Sequence, residues 1–394
     1  MAARSGSGII AAMNEILRAA FTPWLIAALT LLFACGLIVL GRRSAGLRKI
    51  TALVGGSFLA ILGLAMLSGA TAMAVRDRAL ERLRPVDGKL VDVGGYRAFV
   101  QCKGQSGGLT LVLLSGGYST GSWMKPLQER LQSRYRTCII DRPGTGWADD
   151  GPLPRTVDTI LAEIRMAIRG AGETMPLVLI GHSMGGLYAA NYADAYPGDV
   201  KGIVLLDPTP PLWFLEQSQT FGCGPRTPPW PNVYLTMFGL GLIDRLNPMY
   251  RVRDYDAAAL YGRDWSTIVD QEARPRSLVA AWSAGREACR APIDLVRTPG
   301  ALGQLPVFMM SQAVKSDAEM FREVPAGLNP RQRTNWLRLR RAWQQDYVGY
   351  TSRGSFDFAP AGAGHSFPYS HPEETLAKVG PFLALMASEN ATDD

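Results

Sequence analysis

This sequence predicts an α/β fold, a mostly parallel eight-stranded sheet with helices on both faces, preceded by a pair of membrane-crossing helices. Three observations lead there. From residue 89 onward, short apolar runs alternate with helical patterns, the signature of a sheet sandwiched between helices. One junction, PLVLIGHSMGGL, is a buried strand running through G-x-S-x-G into a helix. Ahead of residue 89 lie two long runs with no charge at all.

Those runs are residues 21–40 and 51–75. About 20 helical residues cross the roughly 30 Å hydrocarbon layer, so both are long enough to span it. A helix at the surface of a soluble domain needs a polar face, and neither run has one. Residues 1–88 therefore read as a membrane anchor with helices at about 21–40 and 51–75, a ten-residue link, GRRSAGLRKI, and a juxtamembrane linker. The run ATAMA at 70–74 resembles a signal-peptide cleavage site but lies too deep in the chain for one. Basic residues occur both in the link and after the second run, so the positive-inside rule gives conflicting votes on orientation. Of five cysteines, Cys35 falls in the first run and leaves an even set, Cys102, Cys138, Cys223 and Cys289. An even set suits an oxidising compartment, although four buried thiols would give the same count.

The formal charge of +7 does not point to nucleic acid. Much of the excess flanks the apolar runs, where it meets anionic lipid. In the other dense run, RQRTNWLRLRR, Trp336, Leu339 and Trp343 stand at helical spacing and leave the arginines on a solvated face. No nucleic-acid motif accompanies either.

The elements after residue 88 follow in order. Residues 89–93 and 96–102 make two strands joined at Gly94-Gly95, a hairpin signal. LTLVLLSGG is a fully buried third strand, 122–132 a helix, and YRTCIIDRPGTG a fourth strand with a tight turn. Residues 156–170 form an amphipathic helix capped by Thr156 and closed by Gly170. The elbow strand and helix come next, then VKGIVLLDP as a sixth strand. Regular alternation stops over 209–304, too long for a plain loop and rich in Pro, Trp, Tyr and Leu, so this insertion reads as a helical cap. PNVYLTMFGLGLIDRL and RSLVAAWSAGREA are its helical stretches. LPVFMM resumes the sheet, 330–347 is helical, SFDFAP is the last strand and 373–386 the last helix.

LLSGG after strand three, DRPGTGWAD after strand four, GHSMGG at the elbow and GAGH after the last strand together resemble the α/β-hydrolase superfamily, over about three quarters of the chain. VDVGGYRAFVQCKG, the cysteine just before IIDRPG, and GWADDGPLPRT are similar to a bacterial subgroup whose hydrolase domain follows an N-terminal membrane anchor. The resemblance implies an α/β-hydrolase fold over 89–394 with the cap inserted, an inner-membrane protein and an extracytoplasmic hydrolase domain. It makes strands two and four neighbours, which implies a Cys102–Cys138 bridge, with Cys223–Cys289 as the second pair inside the cap.

The chemistry starts at Ser183. In a nucleophile elbow the strand turns sharply into a helix, the serine stands clear of the sheet, and Gly181 and Gly185 relieve the crowding. A serine hydroxyl needs a base, and the chain holds three histidines. His182 is locked beside the elbow and faces away from the substrate side, and His371 precedes Pro372 at a helix start. His365 follows a strand and a Gly-Ala-Gly loop, where its ring can reach Ser183, so it is the base. The acid that orients it is Asp207, at the end of strand six, or Asp317, after strand seven. The superfamily more often uses the latter position and the resembled subgroup often has an aspartate at the former, so Asp207 is carried forward with Asp317 open. The oxyanion hole falls to the amides of Met184 and Gly117, with Tyr118 as neighbour to the latter. Ser115-Gly116 stand where the family usually has His-Gly. Asp141 and Arg142 brace that loop.

These residues imply a membrane-anchored serine hydrolase acting on an ester-like, acyl or lipophilic small molecule through an acyl-enzyme. The partners are that substrate and the bilayer. With no dinucleotide fingerprint or metal-ligand cluster in the sequence, neither cofactor nor metal is expected. A peptidase or cofactor-free peroxidase on the same site, and a silent hydrolase-like binding module, are the rival readings.

Overall fold

The computed structural model describes residues 7–117, 119–209, 223, 257–290, 300–311, 327–342 and 349–389. They fall into two compact units, one holding the chain up to Leu83 with Ala273–Pro275, the other holding the rest.

The first unit is a helical hairpin. Helix α1 is Ser7–Arg43 and helix α2 is Gly46–Glu81. The link is therefore far shorter than ten residues, because arginine, leucine and lysine are good helix formers and carry both helices past the apolar runs. Only Ser44 and Ala45 interrupt them, Ala45 in an extended conformation and Ser44 with its hydroxyl on the Leu40 carbonyl (2.8 Å). The helices meet along small residues. A Cβ on Gly56 would lie 2.7 Å from Ile38 and 3.1 Å from the Ala34 carbonyl oxygen; on Gly63 it would lie 2.7 Å from Leu31. Ala27 and Ala34 are buried opposite Gly63 and Gly56, with Gly41 and Ala70 buried seven residues further along their helices. That seven-residue spacing makes a continuous seam. The large side chains, such as Leu25, Leu32, Phe33, Phe58 and Ile61, face outward and are exposed.

The second unit is built on an eight-stranded sheet: β1 Gly88–Asp92, β2 Arg97–Lys103, β3 Thr110–Leu114, β4 Arg136–Asp141, β5 Leu177–His182, β6 Val200–Leu206, β7 Val307–Ser311 and β8 Gly354–Phe358. The strand order is β1-β2-β4-β3-β5-β6-β7-β8, parallel from β4 to β8, with β2 antiparallel to both its neighbours. β1 and β2 turn at Gly94 and Gly95, both at positive φ, whose N–H groups donate to the Asp92 carboxylate (3.0 and 3.2 Å) and hold it below the usual carboxylate range. β3 and β5 are buried at every position, as central parallel strands must be. Alternate residues feed the two sides: Val112, Leu114, Leu177 and Leu179 join one core, Leu111, Leu113, Val178 and Ile180 the other.

Helices α3 (Lys125–Leu131), α4 (Val157–Ala171) and α5 (Met184–Ala195) cover these faces with Pro372–Ser388. The helix expected at 122–132 divides into a 3₁₀ turn, Gly121–Met124, and α3, because Pro126 favours a fresh helix start. Thr156 caps α4, accepting from the Thr159 amide (3.2 Å). Gly172, not Gly170, closes it, at φ 88°. Gly170 lies within the helix, where a Cβ would come 2.3 Å from Val91, so it allows α4 to sit close on β1.

Of the two stretches expected to be helical in 209–304, RSLVAAWSAGREA lies in the helix Pro275–Arg290, while PNVYLTMFGLGLIDRL lies outside the described residues. Helices Ala257–Tyr261 and Asp264–Glu272 dock on the 3₁₀ turn: Trp123 donates from its indole N–H to Glu272, and the Tyr261 hydroxyl donates to the Trp123 carbonyl (2.9 Å). Two disulfides close the unit. Cys102–Cys138 joins residues directly opposite each other on β2 and β4, and Cys223–Cys289 ties a residue of the insertion to the helix Pro275–Arg290. Cys35 is a free thiol, exposed on α1. The helix Pro330–Ala342 carries Trp336 and Leu339; Trp343 lies outside the described residues.

Candidate active site

The site is assembled at the carboxyl ends of β5, β6 and β8. Ser183 leaves β5 at φ 55° and ψ −122° and starts α5. A non-glycine residue in that conformation is strained, and the neighbours fix it: its N–H donates to the Leu206 carbonyl (3.1 Å), and its carbonyl accepts from Gly186 (2.9 Å) and Thr209 (2.9 Å). The flanking glycines admit no side chain. A Cβ on Gly181 would lie 2.4 Å from the Gly185 carbonyl oxygen, and one on Gly185 would lie 2.1 Å from that of Leu114.

Asp207 stands one residue beyond β6, also at positive φ, 42°, with its N–H on the Met310 carbonyl (2.7 Å). Its Oδ2 meets Nδ1 of His365 at 2.6 Å, and its Oδ1 accepts from the Ser311 hydroxyl at 2.5 Å. Both carboxylate oxygens are thereby held, and with Nδ1 engaged the ring nitrogen left for proton transfer is Nε2. The Ser183 hydroxyl lies 3.3 Å from that of Thr209.

His182 is buried. Its Nε2 meets the His365 carbonyl oxygen at 2.8 Å, its Nδ1 meets the Tyr369 hydroxyl at 2.7 Å, and its ring lies 4.6 Å from the His365 ring. Burial, with the His365 ring beside it, lowers its pKa to about 3, so it is neutral and donates from Nε2 while accepting at Nδ1. His371 pairs instead with the Ser370 hydroxyl (2.8 Å) and leads into the last helix. Asp317 and Tyr118 lie outside the described residues.

Gly116 and Gly117 lie against the elbow. A Cβ on Gly116 would be 3.5 Å from the Ser183 Cβ, and one on Gly117 would be 2.8 Å from Met184 Cγ. The loop is fastened from β4: Asp141 accepts from the amides of Gly121 (2.5 Å) and Trp147 (2.9 Å), and the Arg142 guanidinium donates to the carbonyls of Ser115 (3.0 Å) and Gly116 (2.6 Å). Burial pushes the Asp141 carboxyl up, against the pull of those two amides and of Arg142. Sequence reasoning passed over Ser311, Thr209 and Tyr369. Their contacts join residues far apart in the chain, and no spacing rule exposes those. Among the described residues, the cluster of metal-ligand types is Cys102, Cys138 and Glu173, and its two sulfurs are joined in a disulfide.

In sequence, the chain is 37% identical over 103 residues to a pimeloyl-[acyl-carrier protein] methyl ester esterase of Xanthomonas oryzae pv. oryzae, covering 26% of this chain and 38% of that one. It spans under half the length of the curated relatives it matches. In structure it is similar to an epoxide hydrolase of Bacillus megaterium (TM-score 0.53, 16% identity, 75% of this chain and 100% of that one). It is similar also to the enol-lactonase of Burkholderia xenovorans LB400 (TM-score 0.51, 14% identity, 75% and 99%). These likenesses are to the fold. Residues 111–379, from β3 into the last helix, match the model of the alpha/beta hydrolase family, and with the strand order described above they make this chain a member of that family.

Proposed function

We propose that the chain is a membrane-anchored serine hydrolase that cleaves an ester-like acyl or other lipophilic substrate. His365 takes the Ser183 hydroxyl proton on Nε2 as Oγ adds to the substrate carbonyl, and the oxyanion accepts hydrogen bonds from the amides of Gly117 and Met184. His365 then returns the proton to the leaving alcohol. Water, deprotonated by His365, adds to the acyl-enzyme and releases the acid and Ser183. Asp207 holds Nδ1–H and stabilises the imidazolium. The observation that carries this reading is the 2.6 Å contact between His365 Nδ1 and Asp207, made one residue beyond the strand that neighbours the Ser183 strand. The sequence likeness to methyl ester esterases supports an ester as substrate.

Residues 1–88 are the anchor and 89–394 the hydrolase domain, with 209–304 as its cap. The exposed large apolar side chains along both helices of the hairpin support insertion in a bilayer. The two disulfides support placing the hydrolase domain on the oxidising side of a bacterial inner membrane.

Fluorophosphonate labelling of the full chain in membranes tests the reading, with chromogenic acyl esters of graded length as substrates. Wild type is expected to label at Ser183, and Ser183→Ala to lose labelling and on the order of 10⁴- to 10⁶-fold in turnover. Retention of a tenth of the activity in Ser183→Ala overturns the assignment, and an unlabelled, inactive wild type identifies a silent binding module instead.

A further inference from the structure

Arg142 is buried, yet it lies on neither the strand that carries Ser183 nor the loops that carry Asp207 and His365. Its guanidinium joins the two segments that hold the oxyanion amides. On one side it donates to the carbonyls of Ser115 and Gly116 at 3.0 and 2.6 Å. On the other it lies 5.3 Å from the ring of Tyr188, a fully buried residue of α5, the helix that Met184 begins.

The peptide between Gly116 and Gly117 is a rigid plane, and in a trans peptide the C=O and the following N–H point in opposite directions. Anchoring the Gly116 carbonyl on Arg142 therefore turns the Gly117 N–H away from the guanidinium. The Gly116 and Gly117 backbone lies beside Ser183 and Met184, within van der Waals reach of any Cβ placed there. Two glycines in succession leave that peptide free to rotate unless a partner fixes it. Ser119 contributes only a longer contact from its amide to the same carbonyl, 3.4 Å. Burial lowers the Arg142 pKa from its ordinary value, and the group still carries its charge, since arginine does not deprotonate in proteins. A lysine is a point charge on an unforked stem and does not reproduce this two-pronged contact.

We infer that Arg142 is a positioning residue for the oxyanion hole: by fixing the Ser115 and Gly116 carbonyls it aims the Gly117 amide at the oxygen that becomes negative, and by packing on Tyr188 it keeps that amide in register with Met184. This rests on the serine hydrolase reading above and goes beyond the bracing role that its place after β4 implies. An amide aimed in advance acts in the transition state and not on the ground-state ester.

Arg142→Gln and Arg142→Lys in the full chain, on the best chromogenic ester, test it. Arg165→Gln serves as control, since it removes an arginine that pairs with Asp199 at 2.7 Å away from the site. Measured are kcat, KM, melting temperature, fluorophosphonate labelling and the affinity of a trifluoromethyl ketone, which forms a tetrahedral adduct with the serine. Removing an oxyanion donor outright costs about 10²- to 10³-fold in kcat, so a donor that is present but unaimed should cost on the order of 10- to 100-fold. Arg142→Gln is expected to lose that much in kcat and the same factor in ketone affinity, with KM unchanged. Arg142→Lys, which keeps the charge, falls between, and Arg165→Gln keeps wild-type kcat whatever its melting temperature. If Arg142→Gln does not fold, Arg142→Lys decides. A folded Arg142→Lys or Arg142→Gln with wild-type kcat and ketone affinity, on an enzyme that labels at Ser183, overturns this inference alone. A wild type that neither labels nor hydrolyses esters overturns the serine hydrolase reading and this inference with it.

Discussion

Ser183 and Asp207 leave adjacent strands at φ 55° and 42°, pinned through their own amides by the neighbouring strands, whereas the His365 side chain, 52% exposed, stands in a loop beyond β8. The first two are held by the backbone, and their strain persists because the sheet around them over-determines it. His365 is held by polar contacts: its ring by Asp207, its carbonyl by His182. Damage to the strand ends should therefore appear as lost stability, and damage to the contacts of the loop as lost activity.

The comparison is broken most sharply at Asp207. An Asp207→Asn variant should fold with an unchanged melting temperature and lose on the order of 10⁴-fold in turnover, because an amide favours the wrong tautomer of His365. Ester kinetics beside Asp317→Asn check it: a crippled Asp317→Asn with an active, folded Asp207→Asn moves the acid to Asp317.

Two glycine substitutions sharpen the contrast in stability. In Gly185→Ala the new methyl would lie 2.1 Å from the Leu114 oxygen, a backbone atom with nowhere to go, so the loss should reach about 2–3 kcal/mol. Gly362→Ala in the His365 loop meets open space at φ 76° and should lose about 1 kcal/mol, the cost of the conformation alone. Denaturant unfolding of both measures the difference, and equal losses would show that the loop is as tightly built as the elbow.

Smaller still is the effect expected at Ser311, whose hydroxyl is bonded to the Asp207 oxygen remote from His365. Hydrogen bonds to charged groups contribute about 1.5–3 kcal/mol, and only part of that concerns orientation, so Ser311→Ala should lower kcat about tenfold with KM unchanged. A wild-type kcat would mean that the His365 contact alone aligns the carboxylate.

The mildest test uses acid. His182 has its folded pKa lowered to about 3 from an unfolded value near 6.5, so between those values the unfolded chain binds a proton that the native chain refuses. Stability from this group is present above about pH 6.5 and is lost as pH falls toward 3. Melting temperatures across that window should fall less steeply with acid for His182→Asn than for wild type, even if the variant starts lower. Parallel slopes would show that His182 does not contribute to the acid limb.

What could be read in the sequence follows the same division. The strands were legible because central parallel strands are short apolar runs between turn residues, and the elbow because Gly181, Ser183 and Gly185 have fixed spacing. The end of α4 lies two residues beyond Gly170, the closer that the sequence offers, because Val91, which makes Gly170 necessary within the helix, is 79 residues away. Ser311, Tyr369 and Thr209 escaped notice because a hydroxyl that meets its partner only in the folded chain leaves no periodic trace. The hairpin seam escaped for another reason. In a run that is apolar on every side, Ala34 and Gly56 differ from their exposed neighbours in size and not in polarity, so hydropathy cannot mark them.

In the bilayer proposed above, the hairpin would meet a mismatch of thickness. Its uncharged stretch 21–40 is about 30 Å long as a helix and its stretch 51–75 about 37 Å, against a hydrocarbon layer of about 30 Å. A lone helix would absorb the excess by tilting. Here Gly56 and Gly63 are packed against the other helix along a shared seam, so neither leg can tilt without carrying its partner. In the bilayer proposed above, the surplus turns of α2 gather at its Arg76 end, and the thickness of the lipid, a property of the membrane, decides how far that end stands clear of it.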